Sequence, residues 1–201
     1  MRARTVLPAL GLVVGFALAG CAAEPAPESP PPSASPSATP SSTPDAEPTT
    51  FTQPSLCADA LPAERITALE VDRGLVLLGG PEGRYGLDYA LDPSPEERAG
   101  GITCIWGDGR TDVSVVTVSV APISAASRAD IVAQLIDQGL NEGISGDSTV
   151  YWQEGDTEEQ PAIINVIRAG SWISVIQTIG GPDAYDEALA IADEAHGSTY
   201  R

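Results

Sequence analysis

The stretch "AIINVIRAGSWISVIQTI" (162–179) decides the fold. Two runs rich in β-branched residues, 162–168 and 171–179, are joined tightly at Ala169-Gly170. So short a connection predicts a hairpin, and strands joined by a hairpin are antiparallel. Pairing across the turn sets Val166 opposite Ile173 and Ile164 opposite Val175. Working upstream, "TVYWQ" (149–153) reads as another strand. "ITCIW" (102–106) and "DVSVVTVSV" (112–120) flank the turn signal "GDGR" (107–110) and predict a second hairpin. Ile102, Cys104 and Trp106 then share one face. The valine alternation slips a step at Val115-Val116, which predicts a bulge or burial on both faces. "GLVLLGG" (74–80) and "YGLDYAL" (85–91) read as strand pieces around a glycine-rich loop.

Helices are expected at three places. Residues 62–70 follow Pro62, with Glu64 in the first turn and Ile66 and Leu69 as an apolar i, i+3 pair. Ser124–Gly139 has Ser124 or Ser127 to cap it and Ile131, Val132, Leu135 and Ile136 as its apolar face; Gly139 stops it. A last helix runs from Pro182 to His196, with Tyr185, Ala188, Leu189 and Ala192 inward. Antiparallel strands with helices covering one face make an α+β fold, a two-layer sandwich. The chain has no internal repeat.

The 201-residue chain carries a formal net charge of −18 and has no lysine. Such a surface repels phosphate backbones and offers no basic stripe, so nucleic acid is excluded as a partner. Direct docking on an anionic lipid surface is disfavoured for the same reason.

Residues 1–20 combine Arg2 and Arg4 with an apolar run of about fourteen residues, too short for a spanning helix of roughly twenty. The run ends Leu18-Ala19-Gly20-Cys21, which resembles the bacterial lipobox. That resemblance implies cleavage before Cys21 and a diacylglycerol on its sulfur; the alternative is an ordinary signal peptide cut near Ala19 or Ala22. Two acyl chains satisfy the two-signal requirement for stable anchoring. The expected partner is therefore a membrane, reached through lipid on Cys21, with the protein on the extracytoplasmic face of the cell membrane. Removing Arg2 and Arg4 takes the mature charge to −18 − 2 = −20. Residues 21–54 hold ten of the eighteen prolines among Ser, Thr and Ala, a composition that cannot offset the entropy of ordering it. As an extended tether of thirty-three residues past the cysteine, it would reach about 100 Å. Residues 55–201 form the expected single domain.

With Cys21 lipidated, Cys57 and Cys104 remain, and an even remainder in an exported chain points to a disulfide; the alternative is two free buried thiols. Closing a loop of about 48 residues is worth about 4 kcal/mol. One histidine and two cysteines make a poor zinc set, so no metal is expected. Cys57 before "LPAE", the later "CIW" (104–106) and the closing "YDEALAIADEA" (185–195) resemble actinobacterial lipoproteins of unassigned function, over residues 55–196. The resemblance implies a disulfide-bonded extracytoplasmic domain and transfers no catalytic residue.

Several features could carry chemistry. His196 is the single histidine, and a Ser-His-Asp hydrolase would depend on it. It lies near a helix C-terminus, where it complements the dipole, and no G-x-S-x-G elbow exists. "GGPEGRYG" (79–86) lacks the Lys-Ser/Thr of a phosphate loop, and no cofactor is expected. Glu154, Asp156, Glu158 and Glu159, with the carboxylates of "DGRTD" (108–112), have calcium-ligand chemistry without EF-hand spacing; a solvated acidic tip is the simpler reading. Trp152 and Trp172, with Tyr85, Tyr89 and Tyr151, could line a groove or fill the core. With no catalytic set assembled, the expectation is a non-catalytic, membrane-anchored surface module that binds an envelope protein, glycan or lipid. An envelope hydrolase using Asp/Glu, or a structural subunit of a membrane complex, is the alternative.

Overall fold

The computed structural model describes residues 50–201, so Leu18, Ala19, Gly20, the lipidation expected at Cys21 and most of the tether lie outside the described residues. In chain order the elements are α1 (Cys57–Ala60), α2 (Ala63–Thr67) running into π-helical turns at Ala68–Asp72, β1 (Val76–Gly79), a 3-10 turn (Gly86–Tyr89) and α3 (Pro95–Arg98). They continue with β2 (Ile102–Asp108), β3 (Val113–Pro122), α4 (Ala125–Asp137), β4 (Asn141–Ser145), β5 (Ser148–Gln153), β6 (Ala162–Ile167), β7 (Ser171–Gln177) and α5 (Pro182–Thr199). The strands form one seven-stranded sheet in the order β1-β2-β3-β7-β6-β5-β4, with every neighbouring pair antiparallel. The α+β class, an antiparallel sheet with helices packed against it, is as the sequence led us to expect; the helices expected on one face stand on both, because α4 packs Ile131 and Leu135 on the side opposite α1, α2 and α5.

Both expected hairpins form, and the later one keeps its expected register. Val166 faces Ile173 and Ile164 faces Val175. In the other, Trp106 pairs with Val116 while Gly107 pairs with Ser114, so Val115 is the bulged residue. The bulge turns Val115 and Val116 toward the same core. That core lies on one face, where Val116, Val118, Val120, Ile164, Val166, Ile173 and Val175 meet α1, α2 and α5. Cys104 and Trp106 join it, and the Trp106 indole donates to Glu70 Oε1 at 3.2 Å. Cys57 and Cys104 stand at disulfide distance, with Cα atoms 5.6 Å apart, and tie α1 to β2. α5 presents Ala188, Ile191, Ala192 and Ala195 to the sheet. Ile191 replaces the expected Leu189, which is half-exposed.

The opposite face carries a smaller layer. Ile131 and Leu135 of α4 pack with Tyr151, Ile167 and Trp172, whose positions alternate with those of the first core. Ser124 and Ser127 form a capping box at the start of α4. Ile136, expected on its inner face, is half-exposed.

Three local expectations are corrected. Residues 85–91 form a 3-10 turn and loop rather than a strand, because Gly86 turns the chain at φ +57°. Tyr85 and Tyr89 then stack on each other and donate to Asp112, at 2.8 and 2.7 Å. Strand β4 was not foreseen: "NEGIS" has one large apolar side chain, Ile144, and that is exposed. Thr50 and Thr52, placed with the tether from composition, hydrogen-bond instead to Arg201 and Thr199, and Phe51 packs on Tyr200.

Candidate binding site on the second face of the sheet

On the second face a single line of residues runs across six strands in direct register. Glu142 on β4 pairs with Tyr151 on β5, Tyr151 with Asn165 on β6, and Asn165 with Ser174 on β7. Ser174 pairs with Ser119 on β3, and Ser119 with Thr103 on β2. Every member is polar or carries a polar tip, and Thr103, Ser119, Ser174, Asn165 and Tyr151 are all buried. Buried polar groups need partners, because an unpaired one costs about 1–3 kcal/mol. The row supplies them. The Tyr151 hydroxyl donates to Glu142 Oε1 at 3.3 Å, and the Trp172 indole donates to Asn165 Oδ1 at 2.8 Å. The hydroxyls of Thr103 and Ser119 share a hydrogen bond of 2.9 Å, and Thr103 shares another of 2.7 Å with Ser94. Burial and the neighbouring Glu142 push the Tyr151 phenol above its ordinary pKa.

Above this row sits Glu96. The sequence "SPEER" folds locally as α3, with Ser94 as N-cap, Pro95 in the first turn and Glu97 completing a capping box. The Glu97 carboxylate is committed to the Ser94 N–H at 2.7 Å. Glu96, one residue earlier, points the other way and is only 6% exposed. Burial raises its pKa well above the ordinary glutamate value, opposed by hydrogen bonds that include those from Ser174 and Ser94. No cation pairs with it among the described residues.

Between α3 and α4 the sheet is left uncovered, and a cavity of about 180 Å³ opens there. Its lining combines Glu96 and Ser/Thr hydroxyls with the apolar side chains of Leu135, Ile163, Trp172 and Ile176. The cavity exists because the floor is built from small side chains, Ser119 and Ser174, where the first core has valines. An apolar wall with a few convergent polar groups is the usual make-up of a small-molecule site.

The features singled out from sequence lie elsewhere, apart from two aromatics. Trp172 and Tyr151 belong to the second face, but Trp152 lies on the first, edge-on to Tyr185 at 5.3 Å, and Tyr85 and Tyr89 sit near the β1 edge. The five aromatics therefore line no common groove. His196 lies tilted against Tyr200 with ring centres 4.3 Å apart, and burial, then Arg168, holds its pKa below the ordinary value. Asp156 closes the "DTEEQ" turn by accepting the N–H groups of Glu158, Glu159 and Gln160 on Oδ1. In the other acidic loop, Asp108 takes the Arg110 guanidinium at 3.1 Å and Arg84 takes Asp112 at 3.1 Å. Among the described residues no three His, Cys, Asp or Glu side chains gather as a metal site, and no helix is long and apolar enough to cross a membrane. Glu96 was missed in the sequence. Its one signal was the Ser-x-x-Glu capping box, which fixes the helix but not which carboxylate is buried.

Fold and site together define an α+β sandwich with one dry core and, on the sheet's other face, a polar-floored cavity. Compared with known protein families, with characterised proteins and with solved structures, the chain has no match.

Proposed function

We propose that this protein is a lipid-anchored binding module of the cell envelope, held to the membrane through Cys21 and taking a small ligand in the cavity under Glu96. The observation that carries the reading is the pairing of an uncompensated buried carboxyl with a hydroxyl-lined floor and an apolar wall, all within one cavity. A cavity of this kind does nothing for packing: small voids forfeit dispersion contacts on their lining. The anchor rests on the lipobox-like Leu18-Ala19-Gly20-Cys21 and on the tether behind it. An acid-catalysed hydrolase would also use a carboxyl with a raised pKa, but glycoside hydrolysis needs two, and Glu97 is tied to its own helix. Binding is therefore the better reading.

Two measurements test it. Cys21→Ala should release the protein from membranes or leave it uncut; unchanged retention and processing would refute the anchor. For the site, a panel of small compounds spanning charge and size should raise the melting temperature of the full chain. The same shifts should vanish in Ser174→Leu, which fills the cavity floor. Shifts that persist in that variant would place the site elsewhere.

A further inference from the structure

Two properties of the cavity beside Glu96 bear on what it can hold, its size and its charge. An engineered cavity of about 150 Å³ holds one benzene ring, so about 180 Å³ has room for a single ring with one short substituent. The charge follows from what surrounds the carboxyl. Ser174 and Ser94 hydrogen-bond to Glu96, and the strands also bring Thr103, Thr117, Ser119, Asn165 and Trp172 to the cavity that it lines. Leu135 of α4 and Gln138 at its C-cap complete that lining. Among the described residues the single charge that bears on it is Glu97, on its own helix, and that is repulsive.

A carboxyl so placed has two ways to be satisfied. It keeps its proton, or it meets a cation from outside. The first leaves the acid neutral in the empty cavity, as isolated buried carboxyls do. The second needs a ligand that carries its own positive charge. The surroundings fit that ligand: hydroxyl oxygens to accept further ammonium hydrogens, and an indole on the wall. A chain with a net charge of −18 also raises the local concentration of cations about itself.

We propose that the cavity takes a compact organic monoammonium ion, one ring or a short branched chain in size, with Glu96 as its counter-ion. The proposal rests on the cavity being the binding site. The ammonium hydrogens are shared between the Glu96 carboxylate and the row hydroxyls, and the apolar part lies against Leu135, Ile163, Trp172 and Ile176. Where the empty site holds Glu96 protonated, binding expels that proton to solvent. The exchange balances: one ammonium enters, one proton leaves, and no covalent bond forms.

The experiment uses the full chain and three probes of matched size: benzylamine, benzyl alcohol and benzoate. Titration calorimetry in buffers of different ionisation enthalpy counts protons. Benzylamine is expected to bind with proton release over the pH range in which the empty site holds Glu96 protonated and the bound site does not, and with none at higher pH. Benzyl alcohol should bind more weakly with no proton release, and benzoate should not bind. Glu96→Gln, nearly the same shape, should lose roughly 10–100-fold in benzylamine affinity and leave benzyl alcohol unchanged. Equal binding of amine and alcohol, or amine binding indifferent to Glu96→Gln, overturns the ammonium assignment and leaves the cavity site standing. Binding of none of the three probes, with Ser174→Leu indistinguishable from wild type toward a broader panel, overturns the site itself.

Discussion

Removing the Cys57–Cys104 link should cost about 4 kcal/mol. The two cysteines are 47 residues apart, so the bond closes a loop of about 48 residues in the unfolded chain. The loop-entropy relation then gives about 4 kcal/mol at 25 °C. That is a large share of the 5–15 kcal/mol by which domains are stable. Both sulfurs are buried, at 2% and 0% exposure, so serine replacements would bury unpartnered hydroxyls and confuse the result. Alanine at both positions is the cleaner change. Urea unfolding of the double alanine variant, with a slope of about 2 kcal/mol per molar, should show the midpoint lowered by about 2 M. Its melting temperature should fall by about 8–16 °C. Reduced wild type separates loop closure from packing, since it keeps the sulfur atoms and loses only the bond. It should show most of the same loss. If reduction leaves the midpoint within about 0.5 M of the oxidised protein, the unfolded chain is not what the link constrains, and the estimate fails.

Other consequences can be checked alongside. Burial raises the Glu96 pKa above its unfolded value, so the folded state holds the proton more tightly. Its contribution to stability is whole below the ordinary glutamate value of about 4.3 and is lost as pH rises to the higher folded value. Melting curves of Glu96→Gln and wild type should therefore coincide in acid and separate above it, with the variant more stable; a pH-independent difference would contradict the burial argument. Gly80 has φ +99°, and a Cβ there would lie 2.2 Å from the Thr103 carbonyl oxygen and 3.0 Å from Cys57 Sγ. Gly80→Ala should thus cost about 2 kcal/mol or more in denaturant unfolding, and a neutral outcome would show that this corner is not closely packed. Arg65 makes two bonds to Glu194, at 2.6 and 2.8 Å, and ties α2 to α5. Arg65→Ala should lose about 1–2 kcal/mol, less at high salt, and a salt-independent loss would mean that the aliphatic stem matters more than the charge.

What the sequence reveals follows the range of the interaction. The β6–β7 hairpin is legible to the residue because its turn is two residues long, and Asn165 opposite Ser174 follows from the same register. The Val115 bulge is legible because alternation breaks within one strand. β3 pairing with β7 has no local signature: Ser119 and Ser174 are brought together only by the sheet order, and with them the row becomes continuous. Glu96 is invisible for a related reason. A helix as short as α3 has no periodicity, so its buried side is decided by where it docks. β4 and the Phe51–Tyr200 contact escape because polar residues and a proline-rich flank look like loop until a partner strand or helix end satisfies their backbone.

The division between the faces explains how the sheet tolerates a buried polar line, and it yields a decisive comparison. Valine and isoleucine on the first face, closed by the alanines of α5, form a dry core that contributes most of the hydrophobic burial. The second face is covered only in part by α3 and α4, so hydroxyls there displace few apolar contacts. If the row served stability alone, an apolar replacement of the same shape would do as well, since swapping both partners of a buried hydrogen bond is close to neutral. Thr103→Val with Ser119→Ala removes the 2.9 Å bond from both ends. Ser94 Oγ still accepts the Glu97 N–H at 3.0 Å, and its own hydroxyl proton has the Glu96 carboxyl to go to, so no donor is orphaned. Stability should therefore change by less than about 1 kcal/mol, in either direction. Benzylamine binding should fall in the same variant, because the cavity has lost two acceptors for ammonium hydrogens. A drop in stability of more than about 2 kcal/mol with binding intact would reverse the assignment, making the row a structural strut and the cavity above it incidental.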